Sequence, residues 1–209
     1  MAADAFHEPW VFVVDDDWRF RGALEGILSH KGYKVAAFAS PVEFLDRHDP
    51  KLHGCLLLDF QMPELNGLDV QSTLAALGET RPVVFLTGTD SVDVAVSAMK
   101  GGAQNYLVKP VGVEAVLDSV KRAIEKDKTC LKNRIERTEL LRRWRSLSYR
   151  QQEAFWHVVS GRLNKQIAHD MGITEKTVKV HRAQMMEKLK AHSTAALAQF
   201  AGRILPLCH

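Results

Sequence analysis

Cysteine is scarce in this chain and is not arranged to hold a fold together. The three cysteines, Cys55, Cys130 and Cys208, are odd in number, lie far apart and form no CxxC pair. This argues against a disulfide scaffold or a thiolate zinc site and favours a reducing compartment. The nine histidines form no HxxxH or HExxH pattern, so we interpret them as surface or packing residues rather than metal ligands.

Long apolar runs are also missing. No stretch reaches the roughly 20 residues that a membrane helix needs. The first ten residues, MAADAFHEPW, are acidic and lack the basic and apolar regions of a signal peptide. We therefore expect a soluble, cytoplasmic protein with no membrane partner.

Charge of either sign is unevenly distributed along the 209 residues. The overall charge is only +3, but residues 1–125 carry 11 Lys and Arg against 18 Asp and Glu, a net −7. Residues 126–209 carry 17 against 7, a net +10. The length suits one medium domain and one small domain, and only the second is expected to meet a polyanion.

Short apolar runs alternate with amphipathic stretches through the first part of the chain. The strand-like runs are residues 10–15, 33–38, 54–60, 82–87 and 103–108, and the helix-like stretches are 19–30, 41–47, 67–77, 92–100 and 113–125. Five βα units predict an α/β fold with a doubly wound, five-stranded parallel sheet, for which we take the order 2-1-3-4-5. Function in such sheets gathers at the carboxyl ends of the strands.

The second part of the chain has a helical pattern throughout. Residues 124–146 contain no Gly or Pro and predict a charged helical linker, with a loose coiled-coil pairing left open. Helices are then predicted over 151–160, 165–171, 174–189 and 194–204, with N-caps at Asn164, Thr174 and Ser193. The break at Met171-Gly172-Ile173 is typical of a helix-turn-helix.

Five polar residues fall at the predicted strand ends: Asp15, Asp16, Asp59, Thr87 and Lys109. Strands one and three are neighbours in the predicted order, so their carboxylates should converge, repel one another and require a cation. Magnesium is the usual hard divalent ion for such oxygen ligands. A phosphoryl group would fit beside it, with a carboxylate as acceptor and the ammonium and hydroxyl as further contacts. Each residue taken alone also has a structural interpretation, such as a helix cap, but the shared position favours a site.

The segment from residue 10 to 125 resembles the receiver domain of two-component response regulators. The matching segments are VVDDD (13–17), LLLDFQMPELNG (56–67), FLTG (85–88) and AMKGGAQNYLVKP (98–110). The resemblance implies a flavodoxin-like receiver domain over residues 1–125, phosphorylated on Asp59 by a cognate sensor histidine kinase. The segment departs from the family pattern at two places. Val111 stands where an aromatic residue is common, and Gly88-Thr89-Asp90 replaces the loop sequence that is more usual in the family.

The resemblance also implies roles for particular residues. One Mg²⁺ would be bound by Asp15, Asp16, Asp59 and the backbone carbonyl of Gln61. Thr87 and Lys109 would contact the phosphoryl group, and Thr87 and Tyr106 would form the switch, although Tyr106 could instead be a plain core aromatic. The Lys109–Pro110 bond would be cis.

The segment from residue 147 to 189 resembles the LuxR/FixJ-type DNA-binding domain. The strongest matches are Gly161, Asn164-Lys165, Ile167-Ala168, Gly172-Ile173 and TVKVH (177–181). The resemblance implies an all-α, four-helix helix-turn-helix domain over 147–209, following a linker over 126–146, with the recognition helix inside 174–189. The family often has Glu in place of Gln151, and some relatives carry a base-contacting Lys in place of Ala183.

The DNA-binding residues follow from the same resemblance and from helical spacing. Lys179 and Val180 would meet base edges, whereas Lys165, Thr177 and Arg182 would meet phosphates. Val178, Met185 and Leu189 are expected to face inward. The full predicted set is Lys165, Thr174, Lys176, Thr177, Lys179, Val180, His181 and Arg182.

Together the two resemblances predict a response regulator of the NarL/FixJ family rather than an enzyme. Phosphorylation of Asp59 would control homodimerisation and sequence-specific binding to promoter DNA, with RNA polymerase as a further candidate partner. The stripe of Leu197, Phe200 and Ile204 could serve dimerisation or core packing. One alternative is an aspartyl-phosphate phosphatase, which Gln61 disfavours because such enzymes carry an acid there. The other is a phosphorylation-independent DNA-binding regulator controlled by a protein partner.

Overall fold

A five-stranded parallel sheet forms the centre of the first part of the molecule. In the computed structural model, which describes residues 8–89 and 91–207, the strands are β1 (Trp10–Val14), β2 (Lys34–Phe38), β3 (Gly54–Asp59), β4 (Val83–Thr87) and β5 (Asn105–Val108). Their order is β2-β1-β3-β4-β5, which confirms the predicted order. Asp90 and Cys208, which the sequence analysis named, lie outside the described residues.

Helices cover both faces of this sheet. They are α1 (Trp18–His30), α2 (Pro41–Arg47), α3 (Gly67–Ala76), α4 (Val92–Lys100) and α5 (Val113–Arg145). Alternate residues of each strand point to opposite faces, so Val11 and Val13 pack with α1 and the first part of α5, whereas Phe12 and Val14 pack with α2, α3 and α4. The buried runs noted in the sequence are thus covered on both sides, as in parallel sheets generally.

The start of α1 divides the acidic run Asp15-Asp16-Asp17 between two tasks. The Asp17 side chain caps the helix, because its Oδ1 accepts hydrogen bonds from the backbone N–H groups of Arg19 and Phe20 at 2.9 and 3.5 Å. The capping interpretation of an acidic run therefore holds for Asp17. Asp15 and Asp16 remain free for other contacts at the end of β1.

Helix α5 is much longer than the other helices, with 33 residues. Near its middle, Asp127 Oδ2 accepts a buried hydrogen bond of 2.8 Å from the Gly54 N–H group at the start of β3. Burial raises the pKa of this carboxyl. The chain separates into two compact units within this helix, one ending at Lys132 and the other beginning at Asn133. The predicted linker is helical up to Arg145, while the domain boundaries at 125 and 146 stay predictions.

The second unit contains the end of α5 and four further helices. These are α6 (Tyr149–Val159), α7 (Asn164–Met171), α8 (Glu175–Leu189) and α9 (Thr194–Ile204), followed by a 3-10 turn at Leu205–Leu207. Thr174 and Ser193 cap their helices as predicted, and α6 begins two residues early because Ser148 caps it. Gly172 has φ 65°, a left-handed conformation that ends α7 and makes the turn.

Two expectations for this unit need revision. The prediction that Asn164 caps α7 is wrong, because the helix begins at Asn164 and the N-cap is Leu163. The Gln166 side chain accepts the Leu163 N–H group at 2.9 Å, which satisfies the backbone there. The stripe on α9 packs into the core: Leu197 and Ile204 are fully buried and Phe200 is nearly so, and this decides against the dimer surface.

Gly54 is expected to be irreplaceable in the sheet. Its φ of 144° is unfavourable for side chains, and an added Cβ would lie 1.9 Å from the Trp10 carbonyl oxygen. Gly54→Ala should lower the free energy of unfolding of the first unit by about 3 kcal/mol or more. Gly26→Ala in exposed α1, where an added Cβ meets nothing within 4 Å, should raise it by about 0.5–1 kcal/mol. Urea unfolding followed by circular dichroism measures both, and changes of the same sign would contradict this explanation.

Candidate functional site

Three carboxylates and one ammonium meet at the carboxyl ends of β1, β3 and β5. One oxygen each of Asp15, Asp16 and Asp59 lie within 4.8 Å of one another. Lys109 Nζ donates hydrogen bonds to Asp15 Oδ2 at 2.7 Å and to Asp59 Oδ2 at 2.9 Å. Asp15 is fully buried and Asp59 nearly so, whereas Asp16 is exposed. The structure thus brings four of the predicted residues into one pocket.

The charges in this pocket alter each other's protonation. Burial raises the pKa of Asp15, the Lys109 ammonium opposes that rise, and the charge of Asp59 adds to it. Burial alone would lower the pKa of Lys109, but its hydrogen bonds to Asp15 and Asp59 outweigh this effect and raise it. Lys109 therefore stays charged and compensates part of the negative charge around it.

The donor set fits a hard divalent cation. Three carboxylates against one ammonium leave the pocket with a net charge of about −2 when all are ionised. Carboxylate oxygens are the ligands that Mg²⁺ prefers, and Asp16 is open to solvent. Gln61 lies beside this set, since its N–H group donates to Asp59 Oδ1 at 3.2 Å.

The two predicted switch residues are bound to the loop after β4 rather than to the acids. The buried Thr87 hydroxyl accepts a hydrogen bond from the Thr89 N–H group at 3.1 Å and lies 3.4 Å from the Thr89 carbonyl oxygen. The Tyr106 hydroxyl donates to the same carbonyl oxygen at 3.1 Å. The Tyr106 ring packs against Phe60 with centroids 6.4 Å apart. Thr89 therefore joins the two residues, a role that the sequence analysis missed because it involves only backbone atoms.

Two residues of α1 also reach the pocket without having been predicted. The Phe20 ring centroid lies 4.3 Å from Lys109 Nζ. Arg21 Nη1 donates to the Asp15 carbonyl oxygen at 2.5 Å. They follow Asp17, the last residue of the acidic run, by three and four residues, so the first turn of the predicted helix could have indicated them. On the other side of the pocket, the Lys109–Pro110 peptide is cis, as the resemblance implied.

The second unit presents the predicted DNA-binding residues mostly on α8. Lys176, Lys179 and Val180 are exposed, and Thr177 is half-buried. The predicted inward residues Val178, Met185 and Leu189 are buried, which confirms the orientation of the helix. The polar and basic face is therefore the accessible one.

Of the other residues in the predicted DNA-binding set, Thr174 and Arg182 have hydrogen-bond partners within the unit, and Lys165 lies on α7. Thr174 Oγ1 accepts the Thr177 N–H group at 3.2 Å, and Arg182 Nη1 donates to Asn164 Oδ1 at 2.9 Å. His181 is half-buried, and its Nδ1 has no hydrogen-bond partner within residues 8–89 and 91–207. Lys165 is exposed on α7.

Gln151 keeps a buried polar contact despite lacking the family's carboxylate. Its Oε1 accepts a hydrogen bond from Lys188 Nζ at 2.9 Å, and its Nε2 donates to Gln184 Oε1 at 2.9 Å. The neutral amide thus loses the ion pair but satisfies its own polar atoms, which is what a buried group requires. The helices α6 and α8 remain joined at this position.

Two family models match the two parts of the chain. The response regulator receiver domain matches residues 11–121, and the bacterial regulatory proteins of the luxR family match residues 145–201. The chain therefore belongs to the NarL/FixJ-type response regulators of two-component systems, with a receiver domain followed by a LuxR-type DNA-binding domain.

Individual relatives agree with this over nearly the full length. The response regulator protein TmoT of Ectopseudomonas mendocina is 38% identical, covering 94% of this chain and 90% of TmoT. The transcriptional regulatory protein FixJ of Azorhizobium caulinodans is 36% identical, covering 91% and 90%. The structure of the response regulator StyR matches with a TM-score of 0.90 and 36% identity, over 94% of this chain and all of that one.

A full-length FixJ structure from B. japonicum matches with a TM-score of 0.58 and 30% identity, over 95% of this chain and 98% of that one. The FixJ relative from Azorhizobium caulinodans is a transcriptional regulatory protein, which agrees with the expected class of protein. Within the described ranges, none of the helices combines the length and the hydrophobicity needed to cross a lipid bilayer.

Lys109 should oppose metal binding in this pocket even though it helps to neutralise the acids. Removing its charge 2.7 and 2.9 Å from two ligand carboxylates should strengthen Mg²⁺ binding by Lys109→Met by about tenfold. Isothermal titration without a phosphodonor measures the affinity. Lys100→Met, at the exposed end of α4, serves as the control and should leave it unchanged. An unchanged or weaker affinity in Lys109→Met would contradict the placement of the metal.

Proposed function

We propose that a cognate sensor histidine kinase phosphorylates this protein on Asp59. The observation that carries the proposal is the Lys109 ammonium held between Asp15 and Asp59 in a buried acidic pocket. A carboxylate oxygen of Asp59 would attack phosphorus, forming a P–O bond while the P–N bond to the kinase histidine breaks. The departing imidazole keeps the electron pair and takes up a proton.

The surrounding residues would stabilise the charge of the transferred group. One Mg²⁺, held by Asp15, Asp16, Asp59 and the carbonyl of Gln61, would neutralise charge on the phosphoryl oxygens. Lys109 would exchange its contact with Asp59 for one with a phosphoryl oxygen. Gln61 offers no carboxyl group two residues after Asp59, so the pocket suits a phosphoryl acceptor better than a phosphatase that turns over.

The hydrogen bonds at Thr89 suggest how the modification would be sensed. The Thr87 hydroxyl would turn from Thr89 towards a phosphoryl oxygen, which removes both of its contacts with that loop and leaves the one from Tyr106. Tyr106, bound to the same residue, would then reorient with the loop. We infer that the two-state element is this Thr87–Thr89–Tyr106 connection, biased by the added charge.

Dimerisation is the proposed consequence for the receiver domain. Helix α4 follows the Thr89 loop and carries three exposed apolar residues at helical spacing, Val92, Val96 and Met99. Such a stripe can be covered by the same stripe of a second copy in an isologous dimer. Phosphorylation would thus favour the homodimer by remodelling the loop at the start of this helix.

The dimer would bind promoter DNA through two copies of α8 placed in successive major grooves. Pairing doubles the number of phosphate contacts and thus the part of the binding free energy that charge supplies. Lys179 and Val180 would meet base edges, whereas Lys165, Thr177 and Arg182 would meet phosphates.

RNA polymerase would be a further partner at the promoter, and the site of action would be the cytoplasm, where the chromosome lies. We keep residues 1–125, 126–146 and 147–209 as the proposed receiver, linker and DNA-binding domains.

Replacing Asp59 tests the acceptor assignment directly. Asp59→Asn keeps the shape but removes the nucleophile, so incubation with acetyl phosphate and Mg²⁺ should add no phosphate, as measured by intact mass spectrometry. Asp46→Asn, on the exposed face of α2, should be phosphorylated like the unchanged chain. Phosphate incorporation into Asp59→Asn would refute the site.

The same pair of variants tests the coupling to DNA. A preferred duplex would first be selected from random sequences, and its affinity compared with and without acetyl phosphate. Only the unchanged chain and Asp46→Asn should respond. Equal affinity in both conditions would leave a regulator that ignores phosphate and responds to a protein partner.

Phosphate contacts and base contacts of the lysines can be distinguished by the salt dependence and the sequence preference of DNA binding. Lys165→Gln should weaken all duplexes alike and reduce the slope of log K against log salt by about 1, because one phosphate contact is lost. Lys179→Gln should weaken the selected duplex more than random DNA, by about 1–3 kcal/mol. Lys190→Gln, just beyond the end of α8, is the control and should behave like the unchanged chain. The assignment fails if Lys165→Gln changes sequence preference or Lys179→Gln does not.

A further inference from the structure

The Lys109 ammonium has an aromatic neighbour besides its two carboxylates. Its Nζ lies 4.3 Å from the Phe20 ring centroid, within the distance at which a ring face attracts a cation. The Lys109 side chain is largely buried, with a relative exposure of 20%, which strengthens such an attraction because little water competes. The ring is thus part of the environment of the charge.

The position of the ring is set by the chain around it. Phe20 packs against the buried cluster that α1 and α5 form on the sheet, which includes Leu24 and Val116. Its backbone N–H group points to Asp17 Oδ1, the cap that fixes where α1 begins. The third aspartate of the acidic run therefore determines, through the start of the helix, where an aromatic face meets Lys109.

The three neighbours of the ammonium, Asp15, Asp59 and Phe20, have different roles in the proposed reaction. Asp15 and Asp59 both belong to the proposed metal set, and Asp59 must also give up its contact with Lys109 in order to attack phosphorus. The ring of Phe20 binds no metal and takes no part in bond making. Its attraction for the ammonium therefore persists while the contact with Asp59 is being lost.

We propose that Phe20 is a positioning residue for phosphoryl transfer, whose ring face keeps the Lys109 ammonium in the pocket as it moves from Asp59 to a phosphoryl oxygen. The inference rests on the proposed function. In the resting pocket two ion pairs hold the ammonium with or without the ring. In the transition state the contact with Asp59 is already weakened and the one with the phosphoryl oxygen is only partly formed, so the ring contributes more there, and only such a difference changes the rate.

Fluorination of the ring tests this without changing the packing. Fluorine withdraws charge from the ring face and nearly preserves its shape, so a series with one, two and three fluorines on Phe20 should phosphorylate progressively more slowly with acetyl phosphate and Mg²⁺. The trifluoro chain should be about fivefold slower, as expected for the loss of most of a cation–π contact. Phe20→Tyr should be phosphorylated at the rate of the unchanged chain, and the rate for Phe20→Leu should fall at least as far as that of the trifluoro chain. The same fluorination of Phe38, a buried ring at the end of β2, should change nothing.

A second readout needs neither metal nor phosphodonor. In the unmodified chain the ring should shift the ε-methylene protons of Lys109 upfield in a ¹³C-lysine NMR spectrum. Lys109→Arg assigns the signal by removing it, and Phe20→Leu should return it to the position of the other lysines. A Lys109 signal that does not depend on Phe20 would overturn the contact.

The failures of this inference and of the proposed function are distinguishable. If the unmodified chain takes up phosphate on Asp59 but all fluorinated chains react at the same rate, only the role of Phe20 is refuted. If the unmodified chain takes up no phosphate, the proposed function fails and this role fails with it. A rate that falls with each fluorine while the free energy of unfolding stays constant supports the positioning role, because packing alone would not produce it.

Discussion

The ammonium of Lys109, held between the carboxylates of Asp15 and Asp59, is the interaction on which the rest of the site depends. It joins the ends of β5, β1 and β3 and opposes the rise in the pKa of Asp15 that burial and the neighbouring charge of Asp59 cause. The pair of bonds is possible only because the sheet places β1 beside β3. A phosphoryl group arriving at this position would meet a charge that is already desolvated and oriented, which is the condition under which electrostatic stabilisation is strongest.

Some residues near this interaction contribute charge to the pocket, and others fix the positions of the helices and strands around it. In the acidic run, Asp15 and Asp16 contribute charge to the pocket, whereas Asp17 caps α1 and thereby sets the position of Phe20. At the far end of the receiver sheet, Asp127 accepts the Gly54 N–H group and so joins α5 to the start of β3. These placement contacts carry no reaction, yet they determine which groups face the pocket and with what geometry.

The two parts of the chain use charge in opposite ways. The receiver concentrates acidic groups in one pocket whose donor set fits a divalent cation, and the helix-turn-helix unit exposes lysines along α8, a surface that suits a polyanion. Burial accounts for the difference. A buried acid needs a partner within hydrogen-bonding distance, whereas exposed lysines remain solvated until counterions are released at a phosphate backbone. The acidic pocket and the exposed lysines of α8 therefore lie in separate units of one chain.

The sequence by itself determined the strand-end positions of the acids, the helix-turn-helix break and the caps at Thr174 and Ser193, because these depend on local periodicity and turn chemistry. It gave the wrong cap at Asn164, where a glutamine three residues after Leu163 satisfies the backbone instead. Only the tertiary structure decided that α9 buries its stripe, that Thr87 and Tyr106 share Thr89, and that Phe20 faces Lys109. Those contacts join residues distant along the chain or involve backbone atoms, so side-chain orientation and packing decide them rather than any pattern of residue types.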